Sequence, residues 1–452
     1  MSPVVRHRIC LLGLPFDTVT IDEAVQQVRE AIEERRRLFL STPNLNFVAM
    51  AQDDEAFRAS VLDSDLVVAD GMPLVWLSRL LGAHLPERVS GSNLFERLRD
   101  EPLPEGKEPI RVYFFGGPEG SAEAAAQNLN QNTSSLKCVG WQSPGFGTVG
   151  DLSARHHIDP INGSGADFLV VALGAAKGQA WIQHNRDRLF APVISHMGAV
   201  VNFIAGQIKR APTWMQRSGL EWAWRIKEEP RLWKRYTQDA RILSKLILSQ
   251  VLPYAIWRRA QSKHCQTCTH RWTCSQTSEQ SLQMHLALEG HLADSVPTSL
   301  KQTLHDCLQG HGEVRIDIGQ LMNIGPAFAA TLAYFLHNLR RRNRSVVLSG
   351  LNRRTERLLR WNGLTPSRLS ASPCAPERCS GCSILERPQP FSCTPALQSE
   401  GCPTCAGQAQ QLEPRSDPRF RGARTMPCSS SNPQGMCSIN PVPVRSKRKS
   451  KH

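Results

Sequence analysis

Short, nearly continuous apolar segments alternate with amphipathic stretches along the first 210 residues. Residues 38–41, 66–69, 112–115, 168–173 and 193–195 are too short for helices and apolar enough to be strands buried on both faces. Between them, residues 21–35 and 122–130 repeat apolar positions at helical spacing, and Thr20 or Asp22 supplies a cap for the first. This order predicts βαβ units in a largely parallel sheet. From 211 to 261 the pattern changes to a segment rich in Trp, Arg and Lys, in which Ile242, Leu243, Leu246, Ile247 and Val251 keep helical spacing beside Arg241 and Lys245. Two readings of it stay open: a helical hairpin packed on the core, or a basic amphipathic element resting on an anionic membrane. A second, smaller α/β unit is expected over 278–365, with strands at 313–318 and 345–348 and helices at 327–339 and 355–361. Residues 262–277 then form a Cys/His linker, and 366–452, rich in Pro, Ser, Cys and Arg, read as a disordered tail.

At 452 residues the chain is expected to hold more than one domain. Its net charge of +14 points to an anionic partner: nucleic acid, a phospholipid surface or a phosphorylated substrate. Basic residues cluster at 35–37, 217–259, 340–344 and 445–452, and outside the second cluster few aromatics are interleaved with them. A base-stacking groove needs that interleaving, so nucleic acid is the least favoured partner. The amino terminus lacks the long apolar core and cleavage site of a secretory signal. No segment offers the roughly 18 uninterrupted apolar residues of a spanning helix, which leaves a protein in solution or on a membrane surface. Of 14 cysteines only Cys10 and Cys138 precede residue 260, so the main domain is expected to be reduced and cytoplasmic.

The candidate chemistry follows the strand ends. Asp70-Gly71 closes the strand over 66–69 where an open α/β sheet presents its binding crevice. Thr42, Asn44 and Asn46 follow the strand over 38–41 and offer uncharged hydrogen bonds to the same crevice. Gly116 and Gly117, after the strand over 112–115, form a turn of the kind that lets a nucleotide approach the backbone. Arg210, Arg225, Arg231 and Arg235 favour a phosphate-bearing substrate. Asp63-Ser-Asp65 has the look of a metal-binding Asp-x-Asp, but it precedes its strand and so falls on the wrong edge of the sheet; no catalytic metal is expected. Cys265, Cys268, His270 and Cys274 have spacing that suits a structural zinc, and the tail pairs Cys379/Cys382 and Cys402/Cys405 are weaker candidates of the same kind.

The motifs Thr42-Pro-Asn-Leu-Asn46, Ala69-Asp-Gly71, Pro86-Glu-Arg-Val-Ser-Gly91, Phe115-Gly-Gly117, Leu173-Gly174, Gly206-Gln-Ile-Lys-Arg-Ala-Pro212 and Gly219-Leu-Glu-Trp222 occur in this order. Together they resemble the WecG/TagA/CpsF glycosyltransferases, family 26, over roughly residues 8 to 240. The resemblance implies a Rossmann-like domain whose helical appendage completes the active site at the inner face of the membrane. It further implies inverting transfer, without a required metal, of an N-acetylhexosamine-type sugar from a UDP-sugar to a polyprenyl-pyrophosphate-linked acceptor in surface polysaccharide synthesis. Asp70 then matches the catalytic base, Arg88 a pyrophosphate-holding residue, and Gln179 falls in a substrate-binding motif. Residues 278–365 resemble a STAS domain, implying a protein partner, with Gly325-Pro326 where a phospho-acceptor Asp-Ser is usual. The chain departs from the transferase pattern at Gly178 and Gln179, where Gln and Glu are common, and at Asn93 and Asn202, where Asp is usual. The alternative reading these departures raise is a catalytically decayed scaffold acting through the STAS-like unit.

Overall fold

The apolar runs form a six-stranded parallel sheet. A computed structural model describes residues 6–103, 106–132, 135–262, 270–277, 283–292 and 295–369. Its strands are β1 (Arg8–Leu11), β2 (Leu14–Asp17), β3 (Leu38–Ser41), β4 (Leu66–Val67), β5 (Ile110–Gly116), β6 (Leu136–Gln142), β7 (Phe168–Ala172), β8 (Val193–His196), β9 (His270–Thr277), β10 (Gln283–Leu292), β11 (Glu313–Ile324) and β12 (Val346–Ser349). The large sheet has the order β4-β3-β8-β7-β5-β6, every neighbouring pair being parallel.

The helices of the first half are α1 (Ile21–Glu33), α2 (Leu45–Asp53), α3 (Glu55–Leu62), α4 (Met72–Leu80), α5 (Gly91–Asp100), α6 (Ser121–Asn132), α7 (Arg155–Gly163), α8 (Ala175–Asn185) and α9 (Gly198–Ile204). Alternation along the strands sends side chains to two layers. Leu38, Leu40, Val112, Phe114, Phe168 and Val170 pack under α1, α5, α6 and α9, whereas Phe39, Tyr113, Phe115, Leu169 and Val171 pack under α7 and α8. Because both faces are covered, the central strands are mostly apolar, and β7 (FLVVA) is apolar throughout. Thr20 caps α1 in a reciprocal capping box with Glu23.

The appendage contains α10 (Thr213–Arg217), α11 (Glu221–Glu228), α12 (Trp233–Leu246) and α13 (Leu252–Ser262), the last two joined through a π-type turn, Ile247–Val251. The second unit has a mixed sheet of order β12-β11-β10-β9 with α14 (Thr298–Gln309), α15 (Pro326–Arg341), α16 (Arg353–Trp361) and α17 (Pro366–Leu369). The architecture is therefore α/β, a parallel Rossmann-like sheet with a smaller α/β unit.

Three features correct the sequence reading. Residues 8–17 form an antiparallel hairpin apart from the large sheet, turning through Leu12 (φ 54°) and Gly13 (φ 90°). Residues 136–142 form edge strand β6, and residues 270–277, expected to be linker, form edge strand β9. The hairpin is the seam between the two units. Arg8 and Asp17 form a buried ion pair at 2.8 Å, Asp17 also accepts from the Val67 N–H at 2.8 Å, and the Arg8 guanidinium lies 4.9 Å over the ring of Tyr334 on α15. One apolar core runs from Leu11, Phe16 and Val61 into Leu286, Ile316, Phe328 and Phe335. Asp63 accepts from His337 and Arg341 of α15, each at 2.7 Å, and Asp65 accepts from the Phe39 N–H at 2.8 Å. The Asp-x-Asp is thus engaged in joining the units and holding the sheet.

Candidate active site

The ends of β3 and β4, the loop before α5 and the appendage enclose a cavity of about 430 Å³. Beyond β4 the chain stays in register: Val68 N–H donates to Ser41 O at 3.0 Å and Asp70 N–H to Pro43 O at 2.9 Å. The next residues begin α4, so Asp70 stands at the turn from strand to helix. Val89 N–H donates to Ala69 O at 3.0 Å and lays the segment carrying Arg88 beside it. Ser90 caps α5 by accepting from the Asn93 N–H.

Burial pushes the Asp70 carboxyl up to about 6; neighbouring Glu221 adds to the rise, and Arg88, Arg225 and Arg210 oppose it. Arg88 donates to Glu221 at 2.5 Å, and Arg225 approaches the other oxygen of Glu221 at 3.6 Å while lying 5.5 Å over the Phe203 ring. The Asn93 amide oxygen accepts from both Arg88 and Arg210, and Arg210 also pairs with Glu96. An Asp at 93 would add a negative charge between these guanidiniums; Asn93 bridges them without it.

Asn44, Asn46, Asp70, Arg88, Arg225 and Arg235 line the cavity together. Asn44 caps α2 by accepting from the Phe47 N–H at 3.2 Å, and Asn46 lies against Met50 Sδ. The remaining candidates lie elsewhere. Thr42 is buried beneath Gly91. Arg231 is exposed on the turn Pro230–Leu232, and Arg210 stands behind Asn93 rather than on the wall. Gly116 and Gly117 are not on the wall either. Both have positive φ, and a Cβ on Gly116 would come within 2.5 Å of the Ala172 carbonyl, so close strand packing is what requires glycine there. The structure does not bring Gln179 to the cavity: it is fully buried, donating to Ser41 Oγ at 2.8 Å and accepting from Ser60 Oγ at 3.3 Å. Gly178 is explained by His196, whose ring occupies the space, 2.2 Å from where a Cβ would be.

The structure adds residues the strand-end reasoning missed. Glu221 clamps Arg88 and Arg225, and its signal was the Glu221/Arg225 helical spacing within a motif already singled out. Asp239 lines the cavity four residues after Arg235; burial raises its carboxyl pKa, which Arg235 opposes. Trp222, Ile226, Trp233 and Leu243 give the cavity an apolar wall continuous with the appendage.

Among the described residues no group of three or more His, Cys, Asp or Glu is gathered as a metal would need. Of the expected zinc ligands, Cys265 and Cys268 lie outside the described residues, as do the tail pairs; His270 opens β9, and Cys274 on β9 is an exposed thiol. No helix among the described residues is long and apolar enough to cross a membrane.

Residues 275–368 match the Mlab-type STAS domain. An N-acetylglucosaminyldiphosphoundecaprenol N-acetyl-beta-D-mannosaminyltransferase of Bacillus spizizenii is 26% identical over 204 residues, 45% of this chain and 76% of its own. Enzymes of the same name from Bacillus subtilis (27% over 205 residues, 45% and 77%) and Staphylococcus aureus MRSA252 (25% over 231 residues, 50% and 86%) are similar to it as well. The glycosyl transferase WecG/TagA/CpsF family matches residues 9–255, more than half of the chain and all of the elements that wall the cavity, and the chain belongs to that family.

Proposed function

We propose that the protein is an inverting glycosyltransferase that moves an N-acetylhexosamine-type sugar from a UDP-sugar to a polyprenyl-pyrophosphate-linked acceptor in surface polysaccharide assembly. The observation that carries this reading is Asp70. A carboxylate with its pKa raised to about 6, at a strand end beside Arg88 and Arg225, is ionised at neutral pH yet basic enough to take a proton. In the step proposed, the acceptor hydroxyl oxygen attacks the anomeric carbon of the donor sugar from the face opposite the diphosphate. The bond from that carbon to the diphosphate oxygen breaks, the electron pair leaves with UDP, and the hydroxyl proton passes to Asp70. Arg88 and Arg225, held by Glu221, supply the positive field for the leaving diphosphate. Arg235 faces the same space and, with Asn44 and Asn46, contacts the substrates.

The appendage supports a membrane-bound acceptor. Trp214, Trp222, Trp233, Leu248 and Ile256 are exposed on it, among Arg and Lys side chains, which is the composition of an element lying in an anionic membrane surface. We place the enzyme as a peripheral protein on the cytoplasmic side of the membrane.

The test is release of UDP from a panel of UDP-N-acetylhexosamines in the presence of a polyprenyl-pyrophosphate-linked acceptor analogue. Acceptor-dependent release by the wild type that falls about 10²- to 10⁴-fold in Asp70→Asn is the expected result. No turnover with any donor, together with no UDP binding, overturns the proposal in favour of a non-catalytic scaffold.

A further inference from the structure

The cavity at the strand ends holds a second carboxylate that the transfer step does not use. Asp70 stands under the influence of Arg88, Glu221, Arg225 and Arg210, whereas of the described charges Arg235 is the one that acts on Asp239. Both acids line the cavity, but only Asp70 lies among the guanidiniums that Glu221 holds. Asp239 therefore belongs to another part of the wall, formed by α12.

Its own helix would give this position to an apolar residue. Tyr236, Asp239, Leu243 and Leu246 follow one another at spacings of three or four along α12 and form its inward stripe, while Thr237, Gln238, Ala240 and Arg241 between them are exposed. Asp239 is only 8% exposed. A carboxylate so placed loses hydration, and burial raises its pKa. Among the described residues no hydrogen bond or ion pair to its oxygens offsets that loss. The oxygens are not sealed inside the protein either; unbonded, they open on the cavity. Arg235 is also without an ion pair among the described residues, its guanidinium lying 5.4 Å over the Tyr236 ring.

We infer that Asp239 is a sugar-binding residue of this cavity, its carboxylate accepting hydrogen bonds from hydroxyl groups on the sugar ring of a substrate. The inference rests on the glycosyl transfer reading. An open acceptor in a largely apolar cavity suits a ligand that donates. With Arg235 beside it, and no group of three His, Cys, Asp or Glu gathered among the described residues, the site favours a neutral donor over a metal ion. A carboxylate takes two O–H donors at once, which neighbouring ring hydroxyls supply, and Trp233 and Leu243 on the same helix give apolar surface for the C–H groups of the ring.

The experiment is calorimetric titration of the full chain with UDP, with UDP-N-acetylhexosamines, and with the polyprenyl-pyrophosphate-linked acceptor analogue beside the same lipid lacking its sugar. Asp239→Leu is expected to weaken one sugar-bearing ligand about 10- to 100-fold, and Asp239→Asn about tenfold, the effect of losing hydrogen bonds to a charged acceptor. Weakened UDP identifies the ribose as the ring bound, weakened UDP-sugar with UDP unchanged identifies the donor hexose, and weakened acceptor with the sugar-free lipid unchanged identifies the acceptor sugar. Asp239→Leu is expected to melt no lower than wild type, because it completes the apolar stripe. Unchanged binding of every ligand, tighter UDP binding as the only effect, or a lower melting temperature in Asp239→Leu overturns the inference and leaves the transferase reading standing. A wild type that binds none of the ligands contradicts that reading and this inference with it.

Discussion

The cavity at the strand ends and a second one of about 420 Å³, walled by the start of the hairpin, the loop after α4, α13 and α14, are close in size and lined differently. At the strand ends, cations and acids are interleaved: Glu221 sits between Arg88 and Arg225, and Asp70 and Asp239 face the same space. In the second cavity the described wall carries His7, Arg8, His84, Arg258 and Lys301, of which Arg8 is paired with Asp17 and Lys301 donates to the Arg6 carbonyl. The first arrangement holds positive charge in fixed positions while keeping a carboxylate near neutrality, as proton transfer beside a departing diphosphate requires. In the second, Arg8 and Lys301 are engaged in tying the hairpin to its neighbours.

The comparison can be broken most severely at Arg8. Replacing it by Met leaves Asp17 buried without its cation, and urea denaturation is expected to show a loss of about 3–5 kcal/mol. A loss near zero would mean that the hairpin is not the seam described here. In the other cavity, Glu221→Gln weakens the clamp on Arg88 and Arg225, and kcat/KM is expected to fall about tenfold to a hundredfold through misplaced guanidiniums. Unchanged kinetics would make Glu221 a spectator.

The last effect is the most specific. In the folded chain Asp70 titrates near 6, above its ordinary value of 3.8, so between about pH 4 and 6 the folded state holds the extra proton. Wild-type stability therefore falls as pH rises through that window, and the ionised group remains a cost above it. Asp70→Asn is expected to be more stable than wild type by about 2–3 kcal/mol at pH 7, an advantage that vanishes below pH 4. A variant that is less stable at pH 7 would mean that Asp70 is held by favourable contacts rather than merely desolvated.

Much of this was legible in the sequence because strand ends are. Runs over 38–41 and 66–69 put Asn44, Asn46 and Asp70 at strand ends, and all three line the cavity, since the strands of a parallel sheet covered on both faces are mostly apolar and polar residues concentrate at the turns. Arg225 and Arg235 were legible as part of a basic helical segment. Residues 8–17 were not, because every position of the hairpin is buried and its alternation is erased. Asp239 was hidden in a cationic run, and only its spacing from Arg235 marks it. Gln179 misled for the opposite reason. Its motif lies beside the crevice in sequence, but the helical turn that starts α8 rotates the amide into the core, where Ser41 and Ser60 satisfy it. Gly178 shows how a departure from a family pattern is absorbed, with His196 filling the vacated volume.

The central claim, that Asp70 is the proton acceptor, is tested most directly by the pH dependence of kcat/KM for acceptor-dependent UDP release. The account predicts an acidic limb with a midpoint near pH 6 in the wild type, and no such limb in the residual activity of Asp70→Asn. An identical limb in both proteins, or a wild-type rate independent of pH between 4 and 8, would contradict it.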